Sequence, residues 1–152
     1  MIREAKEKDF NTLLKVFREV QNLHATNEPN IFKFTDPIKP DEFKEMVKNP
    51  NIKIFVSVDE NIVNGFLIGS VIERESNLTL SRKQFVIENL AVLKSKHNKR
   101  IGKSLINKAK EFAEVQKCDS LILSVWCFNS NALGFYKHLG FEEKSIKMEL
   151  NL

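Results

Sequence analysis

Cysteine is scarce in this chain. Cys118 and Cys127 are the only two, and they flank the apolar run LILSVW instead of standing at a ligand spacing. That excludes a disulfide framework, and His24, His97 and His138 are too scattered to suggest a metal site. Both thiols are expected to be buried, in a reducing compartment. No apolar run approaches the length of a membrane span, and the opening MIREAKEKDF lacks the apolar core of a secretion signal. A soluble, cytoplasmic protein that does not associate with membranes is therefore expected. A dominant charge is missing too: 24 Lys and Arg against 20 Asp and Glu leave a formal net charge of +4, with the signs interleaved. This balance suits a small anionic ligand and argues against nucleic acid as a partner, since there is no basic stripe with aromatics set into it. No repeat or low-complexity tract occurs.

What is present is enough for one good core: 152 residues, 42% of them hydrophobic, most simply one domain over residues 1–152. A short strand opens the chain at residues 1–5. Asp9 then stands as a helix N-cap before Phe10, Leu13, Leu14, Phe17 and Val20, a helical spacing that runs out near Leu23. Residues 23–40 carry three of the four prolines and read as an ordered loop, with a short helix over 41–48 after it. Alternation predicts strands over 53–59 and 63–73, joined as a hairpin at Glu60 and Asn61, and then a surface turn over 74–83. The closing elements are a buried strand over 120–127, a helix over 130–139 and a last strand over 141–150.

Between these lies the most informative stretch, VIENLAVLKSKHNKRIGKSLINKAKEFA. A strand pattern over 85–93 runs into a basic loop, and a helix starts at Ile101 or Gly102, with Ile101, Leu105, Ala109 and Phe112 on one face. The free N–H groups of a helix start therefore sit just beyond a strand, beside Lys99, Arg100 and Lys103, which is a ready phosphate site. Gly102-Lys103-Ser104 ends like a nucleotide P-loop. That loop needs a glycine five positions before Gly102, where His97 stands, so the P-loop reading fails on spacing.

Two segments are familiar. IENLAV followed by HNKRIGKSLI, and NSNALGFYKHLGFEE with Asn129, Ala132, Phe135, Tyr136, Gly140 and Phe141, resemble the two signatures of the GNAT superfamily of acyl-CoA N-acyltransferases. The opening IREAKEKDFNTLLKVF looks like a family N-terminus as well. The loop departs from the pattern at His97, usually Gln or Arg, and at Arg100, usually glycine. A glycine there would permit a positive φ, and Arg100 is expected to do without that freedom, contacting phosphate through its guanidinium instead.

The resemblance implies an α/β (α+β) fold, with a mixed central sheet of about six to seven strands flanked by about four helices. It implies an acetyl-CoA-dependent N-acetyltransferase acting on a primary amine of a small molecule or peptide by direct attack, without a metal and with a homodimer plausible. A CoA-binding module that has lost catalysis is the alternative. Cofactor contacts are implied at Leu90, Ala91 and Val92, whose backbone groups would lie bare where the central strand parts from its neighbour. They are also implied at His97, Asn98, Lys99, Arg100, Ile101, Gly102 and Lys103 around the pyrophosphate, and at Asn129 and Tyr136. Tyr136 matches the family's proton donor to the departing thiolate; packing as a core aromatic is its other reading. Glu88 matches an acidic residue that several members carry, a candidate base for the attacking ammonium; an ion pair is its other reading. Ideal alternation would place Glu88 on one face with Val86, Leu90 and Val92. His24 either ends the first helix or lines the acceptor pocket, and Trp126 reads as core.

Overall fold

The computed structural model describes residues 1–152. Its single sheet has five strands in sequence order, β1 (Ile2–Glu4), β2 (Ile52–Asp59), β3 (Ile62–Arg74), β4 (Arg82–Val92) and β5 (Ser120–Leu123). The first three junctions are antiparallel and the last is parallel. Glu60 and Asn61 make the β2–β3 turn with φ of 48° and 65°, the mirror-image turn whose twist suits a hairpin. The helices are α1 (Phe10–Asn27), α2 (Pro40–Lys48), α3 (Ile101–Val115) and α4 (Ser130–His138).

Two apolar layers enclose the sheet. On one face Leu13 and Val16 of α1 and Phe43 of α2 meet Ile54, Val56, Phe66 and Ile68. On the other, Leu105, Ile106 and Ala109 of α3 cover Phe55, Leu67, Phe85 and Ile87, with Phe135 and Tyr136 of α4 at the rim. The mixed sheet with helices on both faces agrees with the sequence reading. No helix is long and apolar enough to cross a membrane.

The strand count is lower than expected, five instead of six to seven. Residues 141–150 keep a strand's alternation but form no strand. The Phe141 N–H bonds to the Tyr136 carbonyl, and Lys137 pairs with Glu143 at 2.9 Å. The root of the segment is thus held beside α4, and alternation makes a strand only where a neighbouring edge receives it. β5 also stops at Leu123 instead of residue 127, where its pairing with β4 ends at Ile87. α1 reaches Asn27, beyond Leu23, since Thr26 Oγ1 and the Asn27 side-chain amide donate to the carbonyls of Asn22 and Leu23. Cys127 is exposed, and only Cys118 is partly covered.

Asp9 holds the N-cap position of α1, yet its carboxylate does not cap the helix. It is 3% exposed and takes a bidentate bond from Arg3, at 2.7 and 2.9 Å, together with the Lys6 N–H. Burial alone would raise its pKa, but the bonds from Arg3 and Lys6 outweigh it and hold the carboxyl below its ordinary value. The stability this contributes is fully present above the unfolded-state pKa of about 3.9 and is lost as pH falls through the lower folded value. Asp9→Ala is expected to cost about 2 kcal/mol at neutral pH, less than a fully buried pair because Arg3 still reaches water. Urea unfolding at pH 7 and pH 3 checks both statements: the gap between wild type and variant should narrow in acid.

Candidate active site

The sheet opens at one defined point. β4 and β5 pair from Gln84 with Ser120 to Ile87 with Leu123 and no further. On its other side β4 continues to pair with β3, but Gly69 opposes Ile87 while Ile68 opposes Asn89, so Glu88 is an extra residue in a β-bulge. The bulge shifts the alternation. Leu90 and Val92 pack toward the α3 face with Phe85 and Ile87, whereas Ala91 joins the α1 face. The expected shared face of Glu88, Val86, Leu90 and Val92 is therefore broken at Glu88, which is exposed.

Main-chain groups follow the same logic. The Leu93 N–H bonds to the Asn64 carbonyl of β3 at 2.9 Å. Alternation then turns Ala91 toward β3 and leaves Leu90 and Val92 facing the gap. Of the three backbone positions named from sequence, Leu90 and Val92 present free amides there and Ala91 does not. His97 Nε2 donates to the Val92 carbonyl at 2.9 Å, which fixes its tautomer and closes the end of the gap with an imidazole. Glu19 of α1 accepts the Lys94 N–H at 2.9 Å, tying the start of the basic loop to the helix beneath it.

That loop ends at the N-terminus of α3. Arg100 is the N-cap, and no side chain caps the helix. The first-turn amides of Ile101, Gly102 and Lys103 are left without intrahelical partners, as in any helix start. Lys99, Arg100 and Lys103 are exposed beside them. Asn98 and Arg100 both have positive φ, 63° and 59°. This corrects the sequence expectation: Arg100 takes the left-handed conformation that a glycine would favour. The conformation costs about 1 kcal/mol for a side-chain-bearing residue. Arg100→Gly should therefore raise unfolding stability by about 1 kcal/mol while removing one positive charge from the loop. Denaturant titration of the two proteins reads the difference.

Gly102 has a packing reason as well as an amide. A Cβ there would lie 3.1 Å from Phe135 Cζ of α4, so the glycine lets α4 close on the start of α3. Asn129 caps α4, its Oδ1 accepting the Ala132 N–H at 3.1 Å; the side-chain NH₂ remains available. Tyr136, about two turns further along α4, packs edge-on against Phe135 and Phe141, with ring centroids 5.2 and 5.5 Å away. Burial pushes its phenol up to about 12. It stays protonated at every ordinary pH.

Beyond β5 lies a feature that sequence reasoning missed. Trp126 is stacked with Phe128, Phe32 meets Trp126 edge-on at 5.2 Å, and His24 touches both Phe32 and Phe128. Trp126 is 39% exposed, so it is not core. His24 lies within α1 and also faces this group, where burial lowers its pKa and favours the neutral imidazole. Phe128 stands next to Asn129 in the second signature, which was the available signal; Phe32, far away in sequence, offered none.

The arrangement fits a long anionic thioester carrier. Bare amides at Leu90 and Val92 suit a polyamide arm, and the uncapped, cationic helix start suits a diphosphate. The sequence matches the acetyltransferase (GNAT) family over residues 3–141, and the chain belongs to that family. It is 28% identical over 137 residues to an N-alpha-acetyltransferase of Sulfurisphaera tokodaii, covering 84% of this chain and 81% of that one. A mutant of the BH1408 protein from Bacillus halodurans superposes with a TM-score of 0.96 at 24% identity, over 100% of this chain and 99% of that one. The aminoglycoside N-acetyltransferase AAC(6')-Iy, solved with CoA, superposes at 0.75 with 15% identity, over 100% and 98%. As a GNAT acetyltransferase, the chain is an acyltransferase that uses acetyl-CoA.

Proposed function

We propose that the chain moves the acetyl group of acetyl-CoA to the primary amine of a small molecule or peptide by direct attack. The observation that carries this reading is the parting of β4 from β5 at the Glu88 bulge, beside the uncapped basic start of α3. Acetyl-CoA supplies an acetyl group already activated as a thioester. Leu90 and Val92 align the pantetheine arm through their main-chain groups. The Val92 N–H donates to the carbonyl oxygen as negative charge gathers on it. Amides from Asn98 to Lys103 hold the pyrophosphate, helped by Lys99, Arg100 and Lys103, and the free NH₂ of Asn129 reaches the arm. His97 steadies Val92, and Ala91 anchors the strand from the core side. Glu88, exposed at the bulge, takes the proton of the incoming ammonium directly or through water. Tyr136 protonates the departing thiolate.

The aromatic group of His24, Phe32, Trp126 and Phe128 supports an acceptor with an apolar body next to its amine. A peptide α-amine is one such acceptor, in keeping with the name of the Sulfurisphaera tokodaii relative. Polycationic sugars would need a wall of carboxylates instead. A thiol-release assay over peptides with free N-termini, aminoglycosides and polyamines tests the proposal. Acceptor-dependent release with an apolar-bodied amine, and its N-acetylated product by mass, is expected. Binding of acetyl-CoA without release from any amine would instead identify a catalytically silent CoA-binding module.

A further inference from the structure

Helix α1 passes the ends of three strands in turn. Thr12 Oγ1 accepts the Val63 N–H of β3 at 3.3 Å, Glu19 accepts the Lys94 N–H just after β4, and His24 touches Phe128 in the segment after β5. Between Glu19 and His24, about 7.5 Å of helix at 1.5 Å per residue, α1 therefore spans the gap between β4 and β5. It does so on the sheet face opposite α3. The loop after α1 is pinned in the same place: Gln21 donates to the Lys33 carbonyl at 2.8 Å, and Arg18 pairs with Asp36 at 2.6 and 2.9 Å. Phe32, held in this loop, packs against both His24 and Trp126.

Within this group of rings, only the His24 side chain offers a lone pair to a ligand. Trp126 carries just an N–H, and the phenylalanines have no polar atom. The imidazole is half-buried, and burial favours its neutral form, in which one ring nitrogen accepts. Neither nitrogen has a partner within the chain. Neither is sealed from solvent, since Asn64 Oδ1 is the single buried side-chain nitrogen or oxygen left without a partner. An acceptor atom thus stands open among apolar rings, beside the gap into which the thioester is delivered from the other face.

We propose that His24 receives a hydrogen bond from the nitrogen of the acceptor amine, holding it at the gap between β4 and β5 while Phe32, Trp126 and Phe128 take the apolar body. The inference rests on the acetyltransfer reading above and adds the group that meets the amine. Glu88 keeps its part as proton acceptor, and His24 fixes where the nitrogen sits. An amine that gives one N–H to the imidazole keeps its lone pair for the acyl carbon, the orientation that attack requires. A cation held by ring faces alone would need no lone pair, so the two modes of amine recognition part at His24.

Trp126 is the only tryptophan in the chain, and its fluorescence reports on this group directly. The test titrates wild type, His24→Phe, His24→Leu and His24→Gln with CoA present, at pH 8, close to the pKa of an α-amine. The probes are phenylalaninamide and its analogue without the amine, hydrocinnamamide. Phenylalaninamide should bind wild type saturably and both apolar variants about tenfold more weakly, the fold-change expected for one hydrogen bond. His24→Gln keeps an accepting atom and should stay within about threefold of wild type. Hydrocinnamamide should bind all four proteins alike, and calorimetry should give them one acetyl-CoA affinity. Equal phenylalaninamide affinity in wild type and the apolar variants would overturn the proposal. So would an equal loss with hydrocinnamamide, or no saturable response in a wild type that binds acetyl-CoA. A wild type that fails to bind acetyl-CoA would overturn the acetyltransfer reading itself, and this proposal with it.

Discussion

Replacing Tyr136 by Phe should lower turnover about 100-fold, the low end for loss of a positioned general acid, while the dissociation constant for acetyl-CoA stays within about twofold. Burial raises the phenol's pKa to about 12, so at neutral pH Tyr136 carries its proton. Phe keeps the ring that packs edge-on against Phe135 and Phe141, so the variant should fold with near-native stability. That separates the two roles of this residue. A core aromatic would lose nothing on becoming Phe, whereas a proton donor loses its function. The pH profile adds a second readout: with so high a pKa, Tyr136 contributes no alkaline fall in kcat across the range in which the protein is handled. An unchanged kcat in the variant would remove Tyr136 from the chemistry.

The largest effect on the fold is expected at Gly69. It stands opposite the bulge, and a Cβ there would lie 2.5 Å from Phe85 Cζ and 2.7 Å from the Val86 carbonyl oxygen. A ring can turn aside, but the carbonyl belongs to β4 itself and moves only if the strand moves. Gly69→Ala should therefore cost about 3 kcal/mol, the upper part of the range for overpacking. Because the displaced strand carries the bulge, acetyl-CoA affinity should fall in molecules that remain folded. Gly134→Ala is the matched control. It adds the same methyl group on α4 with nothing within 4 Å, and should leave binding unchanged with stability equal or slightly higher. Chemical denaturation together with calorimetric titration of both variants separates a general glycine effect from one transmitted through β4.

Much of this site can be read from the chain because its signals are local. The strand of residues 85–93, the basic loop and the amphipathic period of α3 follow one another, and each leaves its own periodicity. The same holds for Asn129 before α4, where a polar cap precedes a helix. The bulge was less accessible. It lies opposite a glycine on the neighbouring strand, and no period within β4 announces that Leu90 and Val92 change faces after Glu88. Arg100 shows a related limit: a left-handed residue is easily foreseen when it is glycine, but here the loop closure imposes that conformation on an arginine. The aromatic group joins Phe32 to Trp126 across most of the sequence, and only the fold brings them together. The final segment has the alternation of a strand, and only the fold shows that no edge of the sheet receives it.

The central claim is that an extended acyl carrier lies along the open side of β4 and ends at the start of α3. Titrating the isotopically labelled protein with CoA and following backbone amide shifts by NMR tests it most directly. The largest changes are predicted at Leu90, Val92 and residues 101–103, with Ala91 and the β1–β2 edge little affected. Saturable shifts centred elsewhere, or none at millimolar CoA, would contradict the account.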